Sequence, residues 1–187
     1  MYTSDRQNEL NRAAEAVSKL GISPATFKDT TVYKRMNVKG KGGQIKLMET
    51  QVNKLVGDSN LDGNMLAQNR HYIIDGARIL ADSGAASLGA ATWEADLLPQ
   101  LLNSELEIEQ NGNTIFKMPI ADLHKKELAN GSNFSVNSEF RSIANPVVLF
   151  PQKQFEIKIN MPDGTSVPAG TDFYISVEFR AFEAYSK

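Results

Sequence analysis

Asp58, Asn60 and Asp62 put three oxygen-bearing side chains at alternate positions, and Gly63 follows them. That spacing matches the first half of a calcium loop, where alternate oxygens ligate the ion and a glycine makes the sharp turn. The twelfth position of such a loop supplies a bidentate glutamate, and here it is Asn69. The segment therefore reads first as an Asx-rich turn, with calcium as the alternative chemistry at Asp58, Asn60 and Asp62.

Other reactive residue types are scattered. His71 and His124 lie far apart, and neither has a carboxylate at the spacing that sets two metal ligands on one helix face. No Gly-x-Ser-x-Gly elbow is present to expose a nucleophilic serine. Gly40-Lys41-Gly42-Gly43 looks like part of a phosphate loop. It lacks the earlier glycine, and Gly42 stands where serine or threonine should follow the lysine. Glu105, Glu107 and Glu109 are spaced to share one strand face, which reads as a wetted outer surface rather than an acid pair across a cleft. An enzyme would need His71, Glu94 or Asp122 to converge from distant positions. No catalytic residues and no cofactor are assigned, and the chain is expected not to be an enzyme.

The elements that would carry these residues divide the chain in two. Ser4 with Gln7 has the spacing of a capping box, and Leu10, Ala13, Ala14, Val17 and Leu20 follow at helical spacing. Gly21 is placed to end that helix. Its narrow, alanine-rich face is expected to dock on another surface. From Ile22 to about Arg70, short apolar pieces are interrupted by glycine, lysine and asparagine. This stretch predicts an extended arm whose Val32, Tyr33, Ile45, Leu47 and Met48 are buried against a neighbouring subunit. Residues 1–70 are thus read as helix plus assembly arm, and 71–187 as a β-domain.

Alternation dominates the second part. Leu102, Ser104, Leu106 and Ile108 alternate with polar residues, Asn111-Gly112 gives a strong hairpin signal, and Thr114–Met118 returns. Tyr72–Leu80 reads as a strand with a bulge at Gly76. Pro146–Pro151, Phe155–Met161 and Phe173–Arg180 supply further strands. Several strands with turns between them and no interleaved helices predict a mainly β fold, an antiparallel sandwich or jelly roll. Trp93, Phe116, Phe150, Phe155, Phe173 and Phe179 are placed to pack its core, a carbohydrate pocket being the alternative.

Composition narrows the classes further. The chain has 187 residues, a formal net charge of -2 and no cysteine. Disulfides and thiolate metal sites are excluded, and the charge balance gives no electrostatic reason for nucleic acid as main partner. No apolar run reaches the length of a membrane span, and the polar start lacks the apolar stretch of a signal peptide. Synthesis in a reducing cytoplasm, with no membrane partner, is the expectation.

The strand half resembles the jelly-roll structural proteins of bacteriophage virions, including capsid and capsid-decorating components. The residues that carry the resemblance are Leu106–Ile120, Pro146–Pro151 leading into Phe155–Ile159, and the closing strand from Phe173 to Phe182. The resemblance implies a shell component made in the host cytoplasm and carried in the virion. It would form homo-oligomers and contact other virion proteins. A carbohydrate- or ligand-binding β-sandwich module is the alternative from another class.

Overall fold

The computed structural model describes residues 2–21, 24–48, 56–61, 63–124 and 140–186. Among them, a helix α1 (Tyr2–Lys19) precedes the strands β1 (Pro24–Asn37), β2 (Gln44–Lys46), β3 (Arg70–Ser83), β4 (Glu105–Gln110), β5 (Asn113–Pro119), β6 (Arg141–Leu149), β7 (Phe155–Asn160) and β8 (Phe173–Ser186). Two short helices, α2 (Pro99–Leu102) and α3 (Ile120–Leu123), flank the β4–β5 hairpin. One sheet runs β1-β8-β3-β6 and the other β2-β7-β4-β5, with antiparallel pairing throughout. Consecutive strands thus cross repeatedly between sheets. This is the strand order of a jelly roll, two Greek keys folded into a sandwich.

Period-two patterning builds the core. Phe173, Ile175, Val177, Phe179 and Ala181 of β8 point inward, and Leu106 and Ile108 of β4 and Phe155, Ile157 and Ile159 of β7 face them. Phe116 meets Phe179 edge-on across the sheets, with ring centres 6.4 Å apart. In β3 the inward set changes parity, from Tyr72 and Ile74 to Ala77, Ile79 and Ala81. The cause is a bulge between Ile74 and Gly76, which leaves Asp75 as the extra residue. The bulge falls where the sequence places it.

Among the described residues of 1–70, β1 and β2 belong to the two sheets themselves rather than to a projecting arm. β1 pairs with β8 along almost its whole length, from Pro24↔Ser186 to Asn37↔Tyr174. Val32 is 1% exposed, Ile45 2%, Leu47 2% and Met48 3%, all within the chain's own core. Tyr33 is half-buried on the opposite face of β1. These side chains satisfy their hydrophobic demand inside the chain. At about 25 cal/mol per Å² of apolar surface, exporting them to a neighbour would cost the sandwich its own packing.

α1 lies on the outer face of the β1-β8-β3-β6 sheet. Ala13 and Val17 meet Ile73, Val148, Phe182 and Ala184 in a second apolar cluster, apart from the main core. Its partner surface is therefore the chain's own sheet. The helix starts at Tyr2, so Ser4 lies inside it rather than at its N-cap position. Gln7 instead donates to Asn11 Oδ1 at 3.2 Å. Gly21 ends the helix with φ +71° as expected, its N–H on Ser18 O at 3.0 Å.

Candidate functional site

Asp58 and Asn60 face the open edge of β1. The Lys34 ammonium donates to both Asp58 carboxylate oxygens, at 2.8 and 2.9 Å. Arg35 N–H donates to the Asp58 carbonyl at 2.8 Å. The Asn60 side-chain amide donates to Thr31 O at 2.5 Å and accepts from Tyr33 N–H at 2.9 Å. It thus pairs with β1 as a neighbouring peptide group would. A long edge strand is an open template for pairing, and this segment closes part of it. Lys34 shares the inward parity of Val32 and is 9% exposed, so Asp58 also neutralises a charge at the core margin. Asp62 lies outside the described residues. Among those described, no cluster of three or more histidine, cysteine, aspartate or glutamate side chains is placed to hold a metal ion.

The other edges carry their own guards. On β6, Arg12 Nη2 donates to the carbonyls of Ile143 and Ala144, each at 2.6 Å, just before Pro146. The register of β4 against β5 shifts between Ile108 and Glu109, leaving Ile115 as a bulged residue. β5 also carries the exposed Lys117 and ends at Pro119, which has no N–H to offer. β2 has three residues. Bulges, prolines, lysines and short edges all disfavour strand-to-strand aggregation.

A buried charge network holds α1 to the sheet. Arg6 Nη1 lies 2.7 Å from Glu9 and 2.9 Å from Asp75, and the Arg6 guanidinium also pairs with Asp29. Arg180 Nε donates to the other Asp75 oxygen at 3.0 Å. Arg180 Nη2 approaches Glu9 at 2.5 Å, close enough for an ion pair but outside hydrogen-bonding alignment. Gly76 permits this arrangement, because a Cβ there would lie 3.3 Å from both Nε and Nη2 of Arg180. Asp75 is 1% exposed, and that burial pushes its carboxyl up against the pull of Arg180 and Arg6. For Arg6, burial alone would lower the pKa, but its bonds to Asp29 and Glu9 and the Asp75 charge raise it. No sequence periodicity announces this network. The Gly76 bulge was its one legible trace.

Farther along the same outer face, Glu178 accepts from Arg78 at 2.7 and 2.9 Å and from Ser176 at 2.9 Å. Arg35 reaches it at 3.3 Å. The Arg35 guanidinium is stacked near the rings of Tyr33, at 4.8 Å, and Trp93, at 5.0 Å. Trp93 is half-buried and has φ +62°, a backbone conformation uncommon for so bulky a residue. Phe116, Phe155, Phe173 and Phe179 sit in the main core, and Phe150 packs against the α1 cluster.

The scattered polar residues stay apart. His71 is buried at the start of β3, edge-on to Phe150 at 6.1 Å, and burial lowers its pKa. His124 Nδ1 lies 3.3 Å from Ile79 O, eight residues along the same strand. That separation is roughly 25 Å at the rise of an extended chain. Glu94 is exposed beside Ala95, which bridges Ala81 near the far end of β3, and Asp122 is exposed on α3. Glu105, Glu107 and Glu109 lie on the outer face of the second sheet. There Lys117 pairs with Glu105 at 2.8 Å and Lys158 with Glu109 at 2.6 Å. Glu107 accepts from Thr114 at 2.5 Å and Asn160 at 2.6 Å.

Gly40-Lys41-Gly42-Gly43 is zipped to the β7–β8 connection. Lys41 O accepts from Val167 N–H and Gly43 O from Met161 N–H, each at 2.8 Å. A Cβ on Gly42 would lie 2.7 Å from Thr165 O, so close approach of two backbones explains that glycine. A half-open depression of about 330 Å³ lies at the other end of the sandwich, lined in part by Leu61, Met65, Leu66, Arg70 and Gln152. No family model and no curated protein sequence matches the chain.

Proposed function

We propose that the chain is a structural component of a bacteriophage virion, a capsid shell or capsid-associated protein that acts by protein–protein assembly. The observation that carries this reading is the strand order, β1-β8-β3-β6 against β2-β7-β4-β5. Viral capsid domains are prominent users of that jelly roll. The guarded edges add support. A protein that must reach high local concentration without forming strand-paired fibres benefits from Asn60 on β1, Arg12 on β6 and the bulge and Pro119 on β5.

In this reading contacts between copies use loop ends and faces rather than a projecting arm, because Val32, Ile45, Leu47 and Met48 are committed to the core. Partners are further copies and other virion proteins. Sedimentation of the purified full-length chain, alone and mixed with the other structural proteins of its virus, tests this. Closed oligomers or co-sedimentation are expected, and a strict monomer that binds none of them contradicts the reading.

Lectin domains use the same strand order. The half-buried Trp93 beside Tyr33 and Arg35 is the feature among the described residues that favours a carbohydrate-binding module. Glycan-array binding that disappears in Trp93→Ala would shift the assignment to that class.

A further inference from the structure

The tip of the β4–β5 hairpin is Asn111-Gly112, with φ +53° and +78°. Both residues are exposed, and a Cβ built on Gly112 would meet nothing within 4 Å. The turn suits positive φ at both positions, which explains the residue pair structurally. It also sets a nucleophile beside an electrophile. Gly112 N–H makes no hydrogen bond to any described residue, and neither does the Asn111 side-chain amide. The backbone of Asn111 is differently placed. Its N–H donates to Gln154 O at 2.9 Å, and its carbonyl accepts from Asn113 Nδ2 at 3.4 Å. A donor on that carbonyl draws electron density from the peptide group and makes Gly112 N–H more acidic.

We propose that Asn111-Gly112 is a site of spontaneous deamidation and isomerisation in the folded protein. Gly112 loses its amide proton to solvent base, and its nitrogen attacks Asn111 Cγ. The Cγ–Nδ2 bond breaks, and Nδ2 leaves as ammonia, taking up a proton from water. The resulting five-membered imide is opened by one water molecule. Attack at Cγ gives aspartate, and attack at the backbone carbonyl gives isoaspartate. No oxidant, reductant or enzyme is required. Either product adds a negative charge at the hairpin tip, and isoaspartate also lengthens the turn by a backbone carbon. That extra atom breaks the match between Gln110↔Asn113 pairing and the Asn111–Gln154 bond.

The chain holds a second Asn-Gly pair, Asn130-Gly131, outside the described residues, so the readout must be site-resolved. Folded full-length protein and a synthetic peptide of residues 108–116 are aged side by side in mildly alkaline buffer, then digested and analysed by mass spectrometry with isoaspartate discrimination. Conversion at residue 111 is expected in the folded protein, with isoaspartate among the products. Its rate should rise about tenfold per pH unit while Gly112 N–H remains mostly protonated. Asn113→Ala should slow it without slowing conversion at residue 130. Conversion confined to the peptide overturns the proposal. So does a rate in the protein that simply follows the unfolded fraction as urea is added.

Discussion

Gln110 and Phe150 exchange two hydrogen bonds, each 3.0 Å long. Gln110 Nε2 donates to the Phe150 carbonyl, and Phe150 N–H donates to Gln110 Oε1. Gln110 ends β4 in one sheet, and Phe150 follows β6 in the other, so a buried side-chain amide bridges the sandwich. Replacing it with leucine leaves the partly buried Phe150 N–H and carbonyl without these partners. Gln110→Leu should lower unfolding free energy by about 1–3 kcal/mol in urea titrations, despite adding apolar surface.

Asp75 is the hinge of the charge network beneath α1, receiving Arg180 on one oxygen and Arg6 on the other. Asp75→Ala takes one carboxylate from the buried Arg180, which keeps Glu9, and one from the half-buried Arg6, which keeps Glu9 and Asp29. A loss of about 3–5 kcal/mol is expected, with increased hydrogen exchange along α1. An unchanged melting curve would show that the network contributes nothing net.

Acid should destabilise the fold. In the folded protein Asp82 is held below the usual carboxylate range, first by the Thr92 backbone N–H. Glu107 is lowered chiefly by the Thr114 hydroxyl. Burial works against Glu178, but Arg78, Ser176 and Arg35 outweigh it and lower its pKa. Each binds a proton more weakly folded than unfolded. The stability it contributes is complete above the unfolded value of about 4 and is lost as pH falls through the folded value. Asp75 runs the other way. Its raised folded pKa gives a contribution present below the unfolded value and lost as pH rises through the folded one. Thermal melts from neutral to about pH 3 should show a shallower acid decline for Glu178→Gln and a steeper one for Asp75→Asn.

Asn60→Ala removes the amide that pairs with Thr31 O and Tyr33 N–H on the open edge of β1. A stability loss of about 0.5–1.5 kcal/mol is expected, because water can reach the Thr31 carbonyl. Non-native association through the uncovered edge should follow, read as thioflavin-positive aggregates on mild heating. Asn60→Asp keeps the acceptor for Tyr33 but loses the donor to Thr31, so it should fall between.

Gly42→Ala tests whether backbone crowding, rather than ligand binding, explains the glycine-lysine loop. The added methyl would sit 2.7 Å from Thr165 O and 2.9 Å from Ser166 Cβ. A destabilisation of about 1–3 kcal/mol from overpacking is expected, with no change in response to added phosphate.

Much of the sandwich is legible because burial on one face imposes period two. The β4–β5 hairpin, β7, β8 and the Gly76 bulge all follow from alternation and turn residues. β1 escapes that reading because Lys34 stands on its inward face and is tolerated only by its pairing with Asp58, a contact no local pattern shows. Leu102 and Ser104 extend the alternation of β4 on paper, but Pro99 starts α2 and Ser104 Oγ bonds back to Gln100 O at 2.7 Å. The calcium-like spacing of Asp58 and Asn60 likewise resolves into edge pairing. Such long-range partners are a product of topology, which residue order alone does not display.

The proposed virion role is tested most directly by quantitative mass spectrometry of particles purified from lysates of cells that express this chain during phage production. The account predicts the chain as a many-copy component that stays with the particle through density-gradient purification. Its absence from the particles, alongside abundance in the soluble fraction of infected cells, would contradict the account.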